Sequence, residues 1–313
     1  MAFNIPKNDL GIPLLGIGSG TLYYKRETNL PPNEKLVKTF TTAVEKGFVH
    51  LDSAEIYDND LELKETLKRV LSEGNIIREN IFITDKYYVG DGTYTNRSKY
   101  SSPYERIKEL LKYLETPYID LYLLHAPFIK KELHGFNLKE AWEYMQQAYD
   151  EGLVKRIGVS NFTVEDIEEI WGTTTTNPQV NQIEFSAFLQ NQTPGIVSYC
   201  QSHGIFIEAY SPLSPLNSVD LTQGAGLKFD EYLGSLVKKY SKTKLQVLLR
   251  WVIQLGIVPI TTTSKLERFD EYQGIFNWVL TDSEVNRLSL LGSNFQPVFR
   301  KYWKLEYSKF DIL

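Results

Sequence analysis

The chain has 313 residues and a net charge of −5, from 34 Lys and Arg against 39 Asp and Glu. That length suits one large domain or two smaller ones, and it buries a full core without disulfides or a structural metal. Cys200 is the sole cysteine, which excludes a disulfide framework and a Cys-based zinc site. No basic tract is present, so neither nucleic acid nor an anionic membrane surface is an expected partner. No apolar run is long enough to span a bilayer, and no charged stretch followed by an apolar run opens the sequence. A cytoplasmic protein without a signal peptide is therefore expected, and the sequons at Asn96, Asn161 and Asn191 carry no meaning there.

The first dozen residues, through Pro13, read as a short hairpin. Residues 14–18 form a first buried strand that runs into a glycine-rich turn at Ser19-Gly-Thr21. A helical period follows over 33–46 (Leu36, Phe40, Val44) and stops at Gly47. Residues 47–51 form the second strand, which delivers Asp52, with Tyr57 in the next loop and a helix over about 61–71. Residues 80–86 form the third strand and end on Lys86. Ser102-Pro-Tyr-Glu105 opens a helix as a capping box with proline at the first helical position. Its apolar stripe is Ile107, Leu110, Leu111 and Leu114.

Residues 118–124 form the fourth strand, ended by His125. Leu138, Ala141, Trp142, Met145 and Tyr149 give the next helix its buried face. Residues 155–160, 179–183, 205–210 and 256–260 supply four more strands, separated by helical patterns. Thr163 with Asp166 and Thr281 with Glu284 mark two further capping boxes. An irregular aromatic tail closes the chain, with Phe295, Phe299, Tyr302, Trp303 and Tyr307. Cys200 falls on a helix face and reads as a buried, inert thiol.

Eight short apolar strands alternating with helices predict an α/β fold, a parallel (β/α)₈ TIM barrel of one domain over 1–313, with an N-terminal hairpin and a long C-terminal loop. A doubly wound sheet would need three glycines in register opening a helix after the first strand, and residues 16–20 do not supply that.

In such a barrel the carboxyl ends of the strands converge on one mouth. Those ends carry Asp52, with Tyr57 just beyond it, Lys86, His125, Ser160-Asn161, Gln182 and Tyr210. Each has an ordinary alternative: a helix cap, a packing ring, a solvated ammonium, a structural imidazole. Asp52, Tyr57, Lys86 and His125 together make a coherent acid–base set. A phenol is a poor acid at neutral pH, a neighbouring ammonium lowers its pKa, and a carboxylate holds that ammonium charged. His125 can donate a hydrogen bond to a carbonyl. Such a tyrosine suits protonation of an oxygen that gains charge during reduction. The spacing His50-x-Asp52 lacks the further histidines a metal site needs, with His134 and His203 in surface-like contexts, so no catalytic metal is expected. No nucleophile elbow is present, and Cys200 has no base near it in sequence.

The stretches 52–57, Lys86, 123–127, 158–162, 180–184 and 209–213 resemble the aldo-keto reductase family, in order over nearly the whole chain. Residues 85–87, 190–194 and 261–265 resemble its fungal NADPH-dependent branch acting on α-keto amides and on keto lactones such as ketopantoyl lactone. The resemblance implies an NADPH-dependent carbonyl reductase with Tyr57 as proton donor, supported by Lys86, Asp52 and His125, acting on a small-molecule ketone or aldehyde. It implies that Ser160, Asn161 and Gln182 bind the nicotinamide amide and that Tyr210 stacks on its ring. Gly20, Thr21, Leu22, Ser211 and Leu213 would hold the pyrophosphate region. Thr263, Ser264, Lys265 and Arg268 would meet the adenosine 2′-phosphate.

Two departures stand out. Many relatives place a lysine where this chain has Thr262, so Lys265 would take over that charge. Many place a tryptophan after the catalytic histidine, where Ala126 stands here, which implies a wider pocket for keto esters, keto amides or cyclic diketones. Tyr23, Tyr24, Tyr88, Phe128 and Trp303 are the candidate pocket walls. The family favours a monomer over a homo-oligomer. The competing expectation is a cofactor-binding regulatory subunit of the same fold, with little turnover.

Overall fold

The structure is a computed structural model that describes residues 4–25, 30–72, 74 and 76–311. Contacts divide the chain into two compact units, one of Met1–Asn181 with Thr262–Leu266 and one of Gln182–Thr261 with Glu267–Leu313.

In the first unit, strand β1 (Gly16–Gly18) leads directly into a short helix α1 (Gly20–Tyr23), where the sequence predicts only a turn. Helix α2 (Glu34–Glu45), strand β2 (His50–Asp52), a one-turn 3₁₀ helix (Glu55–Tyr57) and helix α3 (Asp60–Ser72) follow. A second one-turn 3₁₀ helix (Arg78–Asn80), strand β3 (Phe82–Tyr87), α4 (Pro103–Leu114), β4 (Leu121–Leu124), α5 (Lys131–His134), α6 (Leu138–Asp150), β5 (Ile157–Ser160) and α7 (Val164–Ile170) follow. Strand β6 (Val180–Glu184) passes from the first unit into the second.

The second unit continues with α8 (Ile196–Ser202), β7 (Phe206–Tyr210), α9 (Ser214–Asn217), α10 (Gly224–Tyr240), α11 (Lys244–Gln254) and β8 (Ile257–Thr261). Helices α12 (Arg268–Gln273), α13 (Asp282–Ser293) and α14 (Lys304–Tyr307) end it. The tail, expected to be irregular, thus contains α14 and a further turn at Ser308–Phe310. The eight strands run in sequence order around a closed barrel, and the pairings of β1 with β2, β2 with β3, β3 with β4, β4 with β5 and β7 with β8 are parallel. Among the described residues the N-terminal hairpin is one antiparallel bridge, Lys7 to Pro13, closed by the Asn8 side chain, which accepts from the Leu10 and Ile12 amides.

The helix signals act through named groups. Asn33 caps α2 by accepting from the Lys35 and Leu36 amides, and Thr163 with Asp166 and Thr281 with Glu284 form reciprocal boxes. Ser102 caps α4 as expected, but Glu105 does not return the bond: it pairs with Lys108 at 3.2 Å instead. Capping boxes at Asn137–Glu140 and Thr243–Gln246 open α6 and α11.

Ile107, Leu110, Leu111 and Leu114 of α4 are buried, as are Leu138, Ala141, Trp142 and Met145 of α6. Each large apolar side chain so buried contributes roughly 1.5–3 kcal/mol before entropy is counted. Gly158 of β5 is required by close approach, because a Cβ there would lie 2.5 Å from the Val180 carbonyl oxygen and 2.8 Å from the Leu123 side chain. In the second unit Phe185 stacks on Trp251, whose indole N–H donates to Ser289, and Cys200 is fully buried. Among the described residues no helix is long and apolar enough to cross a membrane.

Candidate active site

Side chains alternate along a strand, and β3 uses both faces. Thr84 and Lys86 share one face with His50 and Asp52 of the paired strand β2. Lys86 is fully buried, and its ammonium donates at 2.8 Å both to Asp52 Oδ1 and to the Ser53 carbonyl. That ammonium lies 5.4 Å from the centroid of the Tyr57 ring. Below it, His50 Nε2 sits 2.9 Å from Thr84 Oγ1. Burial lowers the His50 pKa to about 4 against the opposing pull of Asp52, so this imidazole is neutral at physiological pH.

Tyr57 ends the one-turn helix after β2, and Asp58 closes that turn in the left-handed region. Its carbonyl accepts from the Lys25 amide at 3.1 Å. His125 directly follows β4, and its ring meets the Tyr57 ring edge-on at 5.7 Å. Burial, with the Lys86 charge adding to it, pushes the His125 pKa well below the usual histidine value. His125 is therefore a neutral hydrogen-bond donor, not an acid, and its Nδ1 has no partner among the described residues. The structure thus gathers Asp52, Tyr57, Lys86 and His125, drawn from three strand ends, within one unit. A phenol beside a buried ammonium and a neutral imidazole is equipped to give a proton to an oxygen held between the two rings.

Gly20 has a place the sequence does not reveal. A Cβ on it would lie 2.6 Å from Tyr57 Cζ and 2.9 Å from the phenol oxygen, so this residue is the floor on which the Tyr57 ring rests. Its neighbours Thr21 and Leu22 face outward on α1, with Leu22 52% exposed. Behind β2, Ser19 and Ser53 both donate to Asn59 Oδ1.

Ser160 and Asn161, at the end of β5, are buried. Asn161 takes a left-handed backbone (φ 61°), a conformation asparagine tolerates, and its Nδ2 donates to the His125 carbonyl at 2.8 Å and to Ser160 Oγ at 3.0 Å. Thr263 is buried and accepts from the Lys265 amide, while Ser264 and Lys265 are exposed. Thr262, where relatives carry lysine, has a buried hydroxyl without a partner among the described residues.

In the second unit, Gln182 donates from Nε2 to the buried Glu208 at 2.7 Å. Tyr210 ends β7, its hydroxyl receives a hydrogen bond from Gln192, and Tyr302 meets its ring edge-on at 5.8 Å. Ser211 is left-handed (φ 57°) and its carbonyl accepts from the Ser214 amide and hydroxyl; Leu213 is buried and Arg268 opens α12. Trp303 follows two residues whose amides, Lys301 and Tyr302, both donate to Glu184. Burial raises the Glu184 pKa against those bonds.

Of the expected pocket walls, Tyr24 is 42% exposed and meets the Tyr57 ring edge-on at 6.1 Å, and Tyr88 and Phe128 are half-buried. Tyr23 is more deeply buried than these. It is only 6% exposed, and its hydroxyl lies 3.0 Å from Thr39 Oγ1 and donates to the Thr263 carbonyl at 2.9 Å. It ties α1 to α2 and to the segment after β8. Ala126, which follows the half-buried His125, is fully buried.

On the other face of β3 lies a cluster that sequence reasoning missed. Arg106 of α4 bonds Asp60 at 2.9 Å and Asp85 at 3.5 Å, and its Nε lies 4.0 Å from Glu55. Against the cost of burial, the Asp85 and Asp60 carboxylates push the Arg106 guanidinium upward. Burial pushes Asp85 up to about 7 and raises Glu55 as well. The one available signal was a carboxylate, Asp85, on the strand face opposite Thr84 and Lys86. Among the described residues no group of three or more His, Cys, Asp or Glu side chains is placed to hold a metal ion.

A sequence model of the Aldo/keto reductase family matches residues 15–291. The NADPH-dependent alpha-keto amide reductase of Saccharomyces cerevisiae is 44% identical over 304 residues, covering 96% of this chain and 93% of that protein. The NAD/NADP-dependent indole-3-acetaldehyde reductase of Schizosaccharomyces pombe is 38% identical, covering 90% of this chain and 92% of that one. The crystal structure of a Bombyx mori aldo-keto reductase (AKR2E4) in complex with NADP superimposes with a TM-score of 0.77 at 27% identity, covering 98% of each chain.

Proposed function

Because the chain belongs to the aldo/keto reductase family of oxidoreductases, we propose that it is an NADPH-dependent carbonyl reductase in which Tyr57 donates the proton. The observation that carries this reading is the buried Lys86–Asp52 pair beside the Tyr57 ring, with a neutral His125 edge-on to it. Asp52 and the Ser53 carbonyl hold the Lys86 ammonium on the site, and the ammonium favours phenolate over phenol as the proton leaves. His125 donates to the substrate oxygen without competing as an acid.

NADPH, when bound, supplies the hydride to the carbonyl carbon. The residues fit such a cofactor: among the described residues Lys265 of the first unit makes no ion pair, nor does Arg268 of the second, so each keeps a cation able to meet a phosphate. In the first unit, Ser160 and Asn161 would hold the nicotinamide amide, Gly20, Thr21 and Leu22 the pyrophosphate region, and Thr263, Ser264 and Lys265 the 2′-phosphate. In the second, Gln182, Tyr210, Ser211, Leu213 and Arg268 would serve the same three parts. The substrate class is that of α-keto amides, keto esters and keto lactones, supported by the name of the yeast relative. Tyr23, Tyr24, Tyr88 and Phe128 of the first unit are proposed to meet it, as is Trp303 of the second.

The test is loss of the reduced-nicotinamide absorbance with an α-keto ester, an α-keto amide, ketopantoyl lactone and a simple aldehyde, using NADPH and then NADH. Turnover with NADPH on the keto compounds is expected. NADPH binding with no turnover on any of them removes the enzymatic reading. Arg268→Ala is expected to weaken NADPH binding about 10- to 100-fold, the worth of a charge-assisted hydrogen bond, and to leave NADH binding nearly unchanged. Parallel losses for the two cofactors would remove Arg268 from the 2′-phosphate.

Gly20→Ala gives a separate check on the phenol. Alanine favours the helix it would join, which offsets part of the cost of the close contact. The added methyl must displace the Tyr57 ring, and a displacement of about 1 Å costs up to ~100-fold in turnover. An unchanged kcat in a folded Gly20→Ala protein would show that Gly20 does not position the ring.

A further inference from the structure

We infer that Glu55 and Arg106 are positioning residues that fix the Tyr57 turn against the strand carrying Lys86, and that Glu55 docks the loop after β3 onto that same turn. This rests on the reductase reading above. Glu55 is the first residue of the one-turn helix that ends in Tyr57, and Asp60 stands three residues beyond it at the start of α3. The Arg106 guanidinium faces both, at 4.0 Å from Glu55 and 2.9 Å from Asp60. It therefore grips the Tyr57 turn on its two flanks. The same guanidinium reaches Asp85, the residue before Lys86, whose side chain leaves the opposite face of the strand. One buried cation thus reaches residues that flank both members of the proton-donating pair.

The Glu55 carboxylate adds the second link. Its Oε2 accepts from the Tyr88 amide at 3.0 Å and its Oε1 from the Ser98 hydroxyl at 2.6 Å. The Ser98 amide in turn donates to the Tyr88 carbonyl, so residues 88–98 form a loop whose two ends meet on one carboxylate. Tyr100 continues the clamp, with its amide on Ser98 Oγ and its ring against Arg106. The turn that presents the acid and the loop that presents Tyr88 to substrate are held by the same side chain, so they are set together.

Glu55→Gln keeps the shape and one acceptor but removes the charge facing Arg106. It is expected to lower kcat about 10- to 100-fold through a small displacement of Tyr57, with KM for the carbonyl substrate and Kd for NADPH within about twofold of the parent protein. Ser98→Ala, at a half-buried loop position that tolerates the change if Glu55→Gln fails to fold, should lower kcat severalfold, and Ser98→Thr should restore it by restoring the hydroxyl. An active parent protein whose Glu55→Gln and Ser98→Ala variants turn over at the parent rate overturns this inference alone. So does a Glu55→Gln protein that loses kcat and NADPH affinity in parallel, or a Ser98→Thr variant that fails to rescue. A parent protein with no carbonyl reduction overturns both this inference and the reading beneath it.

Discussion

Tyr57→Phe is expected to lower kcat by about 10²- to 10⁴-fold, the contribution of a placed general acid, while Kd for NADPH stays within about twofold. The reason for so clean a split is that phenylalanine keeps everything the ring touches. The edge contact with His125 and the ammonium beside the ring involve the ring itself, and the Gly20 floor meets ring carbons as well as the phenol oxygen. Only the hydroxyl is lost, and with it the proton. The measurement is single-turnover oxidation of bound NADPH beside equilibrium titration of the cofactor. Equal losses of binding and turnover would mean that Tyr57 shapes the cofactor site and is not the acid.

Lys86→Met should be the more damaging change, because it acts on stability as well as on chemistry. Methionine matches the length of the lysine stem but leaves Asp52 as a buried carboxylate that has lost the cation bonded to it at 2.8 Å. Removing one partner of a buried pair costs roughly 3–5 kcal/mol. Turnover should fall at least as far as in Tyr57→Phe, since the phenol loses the charge that favours its ionised form. Denaturant unfolding separates the two effects. Adding Asp52→Asn to Lys86→Met should recover part of the lost stability and none of the activity, because it removes the stranded charge without replacing the ammonium. If Lys86→Met unfolds at the parent denaturant midpoint, the pair does not contribute as the geometry implies.

The barrel was legible because its signals are local. Each strand is a short apolar run between turn residues, and each amphipathic helix announces itself by period and by caps such as Asn33, Thr163 and Thr281. Strand boundaries differ by one to three residues, as at β4, which begins at Leu121. The helix α14 in the tail escaped notice because four residues carry no period.

What the sequence determined by itself was the order of strand–helix units and the identity of the residues at the strand ends: Asp52 with Tyr57, Lys86 and His125. A strand end is a position along the chain, and the rule that parallel strands present their carboxyl ends to one mouth turns that position into a place. Only the tertiary structure decided what those residues rest on. Gly20 lies under the phenol, Tyr23 spends its hydroxyl on a carbonyl 240 residues away, Arg106 reaches the flanks of both Tyr57 and Lys86, and Glu184 holds the tail before Trp303. These contacts join residues remote in sequence, and the packing of helices against strands sets their distances. No local periodicity records a distance of that kind.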